Sequence, residues 1–188
     1  MDDQNMRLAG YIQECIRCLP SLSTGYSIYQ VPENLRSMNE AAYRPLVVSI
    51  GPFYCKDERL RPMEEYKLRY LSTFMNHLLN IERLKDYIEI IRGKEEEIRQ
   101  HYLQKFELYS DEFTKMVMLD SVFIIELFRR LNDSTLREEN DPLFYKPRMI
   151  DDVYAILQLL ENQLPIFIIE FLYNSAFPVS PVNSTQRK

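Results

Sequence analysis

The sequence predicts a mainly α-helical protein that forms a single helical domain. Three observations predict this class. Apolar residues recur at helical spacing over most of the chain, the stretch 110–132 carries helix start and stop signals, and the one β-branched run is too short to be a helix. The 188 residues are enough for one sizeable core. We expect an N-terminal helix and linker over residues 1–25, the helical domain over 26–177 and a flexible tail over 178–188.

The first fifty residues contain the one predicted departure from helix. Apolar residues at helical spacing predict a short helix over residues 2–18. The run PLVVSIGP (45–52) is β-branched and bounded by prolines, so we expect it to be a buried extended segment. A strand needs a partner, and YSIYQV (26–31) is the one credible candidate. The sequence thus predicts at most a short two-stranded extended pairing near residues 26–50.

The next two predicted helices follow a proline that suits a first helical turn. Pro62 precedes residues 63–79, in which apolar side chains lie along one face. Residues 82–108 have the same character, with Gly93 as the expected break. We therefore expect helices over both stretches.

The second half of the chain begins with the longest predicted helix. Residues 110–132 open with a serine and an aspartate as a cap, and they close on Arg129 and Arg130, as the helix dipole favours. Residues 133–147 are expected to form a loop, and residues 149–164 an amphipathic helix.

A few charged residues fall on apolar helix faces. The middle of the 110–132 helix is apolar nearly all round, which is typical of a helix at the centre of a molecule, so Asp120 should be buried. Lys67 lies on an apolar stripe of its own helix, and Glu161 and Gln163 lie at the edges of another. Buried charges must be paired. We hypothesise that Lys67 meets Asp120 or Glu161 where three helices converge; the alternative is that its ammonium reaches water.

The stretch LLENQLP (159–165) places three polar residues one leucine ahead of Pro165. Proline removes a backbone donor and clashes with the preceding turn, so a helix must stop or kink there. The freed backbone groups need partners, which amide side chains such as those of Asn162 and Gln163 can supply. We interpret Glu161, Asn162 and Gln163 as polar packing around this break.

Composition excludes several classes of function. The net charge of −5 and pI near 5.2 argue against nucleic-acid binding. No window approaches the roughly 18 apolar residues of a membrane helix, and the N-terminus lacks a signal-peptide pattern. Three cysteines in such a chain indicate reduced thiols. The chain alone is expected to be soluble and cytoplasmic.

Motifs for metal binding or catalysis are weak. Cys15 and Cys18 form a Cys-x-x-Cys pair, but zinc needs four ligands and Cys55, His77 and His101 are scattered. No Gly-x-Ser-x-Gly elbow or glycine-rich phosphate loop is present. The sequence therefore predicts no cofactor, no metal site and no catalytic residue.

Four stretches together resemble a plant-specific family, the domain of unknown function (DUF) numbered two-four-seven. They occur in the family's order and cover most of the chain: VPENLRSMNEAAYRPLVVSIGPF (31–53), LRPMEEYKLRYL (60–71), SDEFTKMVMLDSVFIIELF (110–128), and NDPLFYKP (140–147) leading to VYAILQLLENQLPIFIIEFLY (153–173). After SIGP the family usually has an aromatic residue, then histidines and a glycine. This chain has Tyr54, Cys55 and Lys56 there, so no role of those histidines can be transferred.

The resemblance implies an uncharacterised protein. Family members are typically longer and carry a C-terminal transmembrane segment, which implies the plasma membrane and makes this chain resemble a truncated N-terminal portion. Some grass members are implicated in self-incompatibility, and no enzymatic activity is established.

These observations favour a non-enzymatic interaction or signalling domain that recognises a protein partner and, in full-length relatives, is tethered to a membrane. One alternative is an enzyme of unknown class that uses the buried carboxylates of Asp120 and Glu161. Another is a truncated member with little independent function.

Overall fold

A computed structural model of the chain describes residues 2–18, 27–78 and 81–178, and over these ranges it is mainly helical, as predicted. The α-helices are, in chain order, α1 (Asp2–Arg17), α2 (Glu33–Arg36), α3 (Arg61–Leu78), α4 (Ile81–Gly93), α5 (Glu95–Gln100), α6 (Ser110–Asn132), α7 (Pro142–Tyr145), α8 (Met149–Leu157) and α9 (Ile166–Ala176). Short 3₁₀ turns lie at Glu40–Ala42 and Ser134–Leu136. The predicted linker over 19–25 and almost all of the predicted tail lie outside the described residues.

Helix α6 forms the centre of the fold, because its middle turns are apolar on nearly every side. It packs against α3, α4 and α9. Buried residues face all three neighbours, including Phe113, Val117, Val122, Phe123 and Leu127, which are fully buried. The prediction of a central 110–132 helix is confirmed.

The surrounding helices bury one face each. In α3 the buried positions recur at spacings of four and three: Met63, Lys67, Tyr70 and Phe74. In α9 they recur every four residues, at Ile168, Leu172 and Ala176. These intervals align side chains on one side of a helix, so both elements follow the sequence pattern.

Helix α1 differs from the others in its exposure. The predicted N-terminal helix is present, but residues 4–18 are exposed throughout. The apolar side chains of Met6, Ile12 and Ile16 are 76%, 49% and 61% exposed. The apolar stripe that predicts this helix is therefore not buried against the described part of the chain.

Residues 27–31 do not pair with residues 45–52 but with a different partner, which stays within the prediction of at most one short pairing. Ile28 forms an isolated parallel bridge with Tyr102: the Ile28 N–H donates to His101 O at 3.0 Å, and the Leu103 N–H donates to Ile28 O at 3.0 Å. The PLVVSIGP run (45–52), which we call the SIGP segment, bonds instead to the side chain of Asn162. An amide carries both a donor and an acceptor, so it replaces the strand neighbour that the segment would otherwise need.

Two predicted helices end early. Gly93 breaks the 82–108 stretch as expected, but the second half ends at Gln100, because the next residues turn to meet Ile28. The 149–164 helix ends at Leu157. Pro165 is the N-cap of α9, so residues 158–165 form a connection between two helices and the chain is not a single kinked helix there.

Two local expectations also need correction. Ser110 is not the N-cap of α6 but its first residue, and its hydroxyl donates to Glu95 Oε2 at 2.5 Å. Glu112 Oε2 instead accepts from the N–H of Tyr109, the cap residue, at 3.2 Å. The expected 133–147 loop contains a 3₁₀ turn and α7.

Candidate functional site

Lys67 and Asp120 form a buried ion pair between α3 and α6. Lys67 Nζ lies 2.6 Å from Asp120 Oδ1, and both side chains are 1% exposed. The same ammonium donates to Glu64 Oε1 at 2.5 Å and to Ser49 Oγ at 3.3 Å. Of the two partners that the sequence left open for Lys67, the structure has Asp120. The ammonium is buried and does not reach water.

Asp120 also holds the SIGP segment against α6. Its Oδ2 accepts from the Gly51 N–H at 2.8 Å. Gly51 has a φ of 77°, and a Cβ at this position would lie 2.3 Å from the backbone oxygen of Gln163. Glycine is therefore required here both by backbone conformation and by the close approach of the 158–165 segment.

Burial and charge set the protonation of this cluster. Burial raises the pKa of Asp120 to about 6, and the attraction of Lys67 limits the rise. Burial disfavours the Lys67 ammonium, but Asp120 and Glu64 outweigh that effect and raise its pKa. Burial, followed by the charge of Asp120, raises the pKa of Cys55 to about 11, so this thiol stays protonated at neutral pH.

Glu161 is bound by a different set of partners from the one that the sequence suggested. Its Oε1 accepts from the Val31 N–H at 2.7 Å and from Arg36 Nη2 at 2.9 Å, and its Oε2 accepts from the Tyr54 hydroxyl at 2.7 Å. The Glu161 side chain has no exposed surface. Burial and the bond to this carboxylate raise the pKa of Tyr54. Glu161 thereby ties the segment around α2 to the α8–α9 connection.

Asn162 satisfies the backbone of the SIGP segment. Its Oδ1 accepts from the Ile50 N–H at 2.7 Å, and its Nδ2 donates to Val48 O at 3.2 Å and Ile156 O at 3.4 Å. Ile156 O is a carbonyl near the end of α8, which agrees with the interpretation of this asparagine as packing around the break.

Gln163 contributes through its backbone. Its carbonyl oxygen accepts from the Tyr102 hydroxyl at 2.9 Å, and its side chain is half-buried. Glu161, Asn162 and Gln163 therefore hold three separate stretches of chain, those around residues 31–36, 48–54 and 102.

A second buried ionic cluster was missed by the sequence reasoning. Arg130 Nη1 lies 2.6 Å from Asp141 Oδ2, which also accepts from the Tyr70 hydroxyl at 2.8 Å. The Arg130 guanidinium stacks on the Tyr70 ring, 4.0 Å from its centroid, and lies 3.7 Å from Glu126. The Asp-Pro pair at 141–142 was an available signal, since it marks Asp141 as the cap of α7. The sequence assigned Arg130 only to the helix dipole.

Two concave surfaces are candidate binding sites. A polar cavity of about 280 Å³ lies beside the Lys67 cluster and is lined by residues that include Ser49, Cys55, Glu64 and Lys115. A groove of about 490 Å³ lies between α6 and α9, which we call the α6–α9 groove; its lining includes Ile124, Ile125, Phe128, Arg129, Ile169 and Tyr173. The first surface is polar, and the second is mostly apolar.

Among the side chains that the structure describes, the candidate metal ligands of the sequence are not brought together. Cys15 and Cys18 are free and exposed at the end of α1, and Cys55 is half-buried. His101 Nδ1 lies 2.9 Å from Glu97 O, and the side chain of His77 lies outside the described part of the chain. Within the described ranges, no three His, Cys, Asp or Glu side chains are arranged to hold a metal ion. Over the same ranges, no helix has the length and apolar content needed to cross a bilayer.

Comparisons with known proteins agree on one family. The family described as DUF247, plant protein of unknown function, matches residues 28–187. The UPF0481 protein At3g47200 of Arabidopsis thaliana is 33% identical over 151 residues, which cover 78% of this chain and 30% of the relative. The putative UPF0481 protein At3g02645 of the same plant is 28% identical over 148 residues, which cover 76% of this chain and 26% of the relative.

The chain thus spans less than a third of the length of either relative. No solved structure gives a significant match. Because the family match extends over most of the chain and includes the SIGP segment, α3, α6 and the α8–α9 connection, this protein belongs to the DUF247 family of plant proteins of unknown function.

Proposed function

We propose that this region is a protein-interaction scaffold without catalytic activity, whose α6–α9 groove receives an amphipathic helix of a partner protein. The groove itself is the observation that carries the proposal. Phe128 and Tyr173 are large apolar side chains on its walls, and they are 51% and 42% exposed. Grooves of this kind bind helices that present apolar residues at intervals of three and four.

The buried charged groups support a structural role. Asp120, Lys67 and Glu161 are each no more than 1% exposed, and each is bound by side chains or backbone groups of the same chain. A catalytic acid or base must reach the proton that it transfers, directly or through one water. Groups that are enclosed and internally paired fit the maintenance of a fold better than turnover of a substrate.

The rim of the groove limits the chemistry of the partner. It carries one cation, Arg129, one carboxylate, Glu170, and the two amides of Asn132 and Asn174. Arg129 is already paired with Glu126 and stacks on the Phe177 ring at 4.2 Å. The rim thus favours no strong charge of either sign, and a helix with an apolar stripe and neutral polar flanks suits it.

The experiment is proximity labelling in plant cells with the protein carrying a labelling enzyme. Phe128→Ser removes an exposed wall of the groove, whereas Tyr145→Ser changes a side chain that is 78% exposed on α7. We expect Phe128→Ser to lose a set of labelled proteins that the wild type and Tyr145→Ser share. Equal labelling by both variants, with equal melting temperatures, would refute the groove as the binding surface.

Membrane tethering is a separate part of the proposal. The resemblance to membrane-anchored family members supports a location at the plasma membrane for the full-length protein, with this region as its recognition module. Fluorescence microscopy of a tagged full-length relative tests it. A diffuse signal throughout the cytoplasm would contradict the tethering. It would not bear on the groove proposal, which is tested separately by the labelling experiment.

A second candidate, an enzyme, rests on the polar cavity beside the Lys67 cluster. Glu64 borders the cavity and touches Lys67, and the raised pKa of Asp120, about 6, suits acid–base chemistry near neutral pH. A thermal-shift screen against a metabolite library distinguishes the candidates. A compound that stabilises the wild type but not Glu64→Gln would favour the enzyme, and a screen without such a compound would count against it.

A further inference from the structure

The exposed face of α1 has the spacing of a coiled-coil seam. Leu8, Tyr11, Cys15 and Cys18 follow one another at intervals of three, four and three residues, which are successive a and d positions of a heptad. Helical bonding continues to the last of them, because the Cys18 N–H donates to Glu14 O at 3.0 Å. All four side chains are exposed, and both thiols are free.

This face is not stabilised by burial in the described part of the chain. Helices of about this length are marginal in water when isolated, and an amphipathic one gains its stability from packing of its apolar side. Ile12, at the e position beside the seam, is 49% exposed and widens the apolar surface. Within the described residues, the stripe therefore has no partner surface.

The two cysteines indicate which partner this is. A structural zinc site takes four thiolates in a tetrahedron, and one copy of this chain offers two on the seam. In a parallel pair of α1 helices, the two Cys15 residues face each other in one layer and the two Cys18 residues in the next, about 4.5 Å along the axis. Two copies thus bring four thiols around one point.

We propose that two copies of this chain associate in parallel through α1 and bind one Zn²⁺ through Cys15 and Cys18 of each copy. Four thiols give up their protons to solvent as the metal binds, so the site carries two net negative charges. Arg17 lies on the same turn, but it is paired with Glu14 at 3.4 Å, and Glu14 Oε1 accepts from Cys18 Sγ at 4.0 Å, so the two neighbouring charges offset each other. One chain offers two of the four thiolate ligands, and the second copy supplies the other two.

The charge of the helix argues against a membrane surface as the partner. Residues 2–18 contain two basic residues, Arg7 and Arg17, and three acidic ones, Asp2, Asp3 and Glu14. Helices that lie on anionic lipid carry an excess of lysine and arginine on the polar face.

An antiparallel pair would place the two Cys-x-x-Cys sets at opposite ends, so a shared site requires the parallel arrangement.

The test uses the full 188-residue chain, kept reduced by a phosphine and free of metal. Zn²⁺ is titrated during sedimentation velocity, and Co²⁺ is titrated during absorption spectroscopy. We expect one metal ion per two chains, a monomer-to-dimer change that a chelator reverses, and the absorption bands of tetrahedral thiolate-bound Co²⁺. The Cys15→Ser/Cys18→Ser double variant should lose all three, and Cys55→Ser should keep them.

A fourth variant separates the seam from the metal ligands. Leu8→Lys keeps every thiol but places a charge in the first seam layer, so it should need a higher protein concentration to dimerise while keeping the Co²⁺ bands. One metal per chain without dimerisation, no metal binding, or binding that persists in the double cysteine variant would each overturn the proposal. Because α1 is exposed, far-ultraviolet circular dichroism and the unfolding midpoint should be the same for all variants without metal.

Discussion

Replacing Lys67 by methionine tests the role of the buried ion pair. The change removes an ammonium 2.6 Å from Asp120 Oδ1 and keeps an unbranched side chain of similar length. Asp120 is completely buried, so its carboxylate must then remain unpaired or bind a proton. In the wild type, burial raises the pKa of Asp120 to about 6 even with Lys67 beside it. Without the ammonium, this pKa must rise further.

The size of the effect follows from proton linkage. A group whose pKa is higher in the folded than in the unfolded state adds stability at low pH, and this stability is lost as the pH rises through the folded value. In the wild type the loss ends near pH 6, whereas in Lys67→Met it continues above pH 6 at about 1.4 kcal/mol per pH unit. Between pH 6 and pH 8 the cost of the substitution should therefore grow, by at most about 3 kcal/mol, a limit reached where the pKa of Asp120 in the variant is about 8 or higher.

The assay is urea unfolding followed by circular dichroism at pH 6 and pH 8. Lys85→Met is the matched control, since Lys85 is 78% exposed and lies 3.6 Å from an exposed glutamate, so its cost should be close to zero at both pH values. A cost for Lys67→Met that is equal at the two pH values would refute the assignment of Asp120 as its charged partner. The wild-type curve also tests whether this length of chain unfolds cooperatively on its own.

Two further predictions concern the α8–α9 connection and the SIGP segment. Glu161→Gln removes the charge opposite Arg36 inside the protein and should lower the free energy of unfolding by about 2–4 kcal/mol. The control is Glu33→Gln, since Glu33 lies 3.9 Å from the same guanidinium but is 83% exposed, and this variant should leave the urea midpoint unchanged. Equal urea midpoints for the two variants would contradict the prediction. Gly51→Ala adds a Cβ at a φ of 77° and 2.3 Å from a backbone oxygen, so we expect the free energy of unfolding to fall by about 3 kcal/mol or more. Gly93→Ala, with open space around its Cβ, should keep or raise the melting temperature. Similar melting temperatures for the two variants would show that the close approach at Gly51 is not rigid.

The parts of the fold that the sequence predicts correctly depend on local periodicity. The repeat of apolar residues identifies α3 and α6 and places Lys67 and Asp120 on their buried faces. Two opposite charges on neighbouring buried faces must then meet, because an unpaired one would be too costly. For Lys67, helix geometry alone was enough to reduce the candidate ion-pair partners to two, Asp120 and Glu161.

The sequence does not predict the contacts between loops that lie far apart along the chain. Arg36 lies 125 residues from Glu161 and belongs to a four-residue helix with no apolar stripe, so no periodicity links the two. The Ile28–Tyr102 bridge has the same character, since the pattern of residues 26–31 indicates an extended segment, but one isolated pair leaves no sign of which segment it meets. In both cases the partner is chosen by tertiary packing, which overrides local pattern.

The sequence motifs that carry the family resemblance converge in space, and this gives a physical reason for their specificity. Gly51 of SIGP, Lys67 and Asp120 form one connected set, and Asn162 of LLENQLP bonds to the same SIGP backbone. Each of these groups is buried and satisfies another, so a change at one leaves a second without its partner. Residues in such a network are constrained together by the fold, whatever the protein binds. It follows that function should be sought on surfaces that this network does not occupy, and the α6–α9 groove and the seam of α1 are two such surfaces.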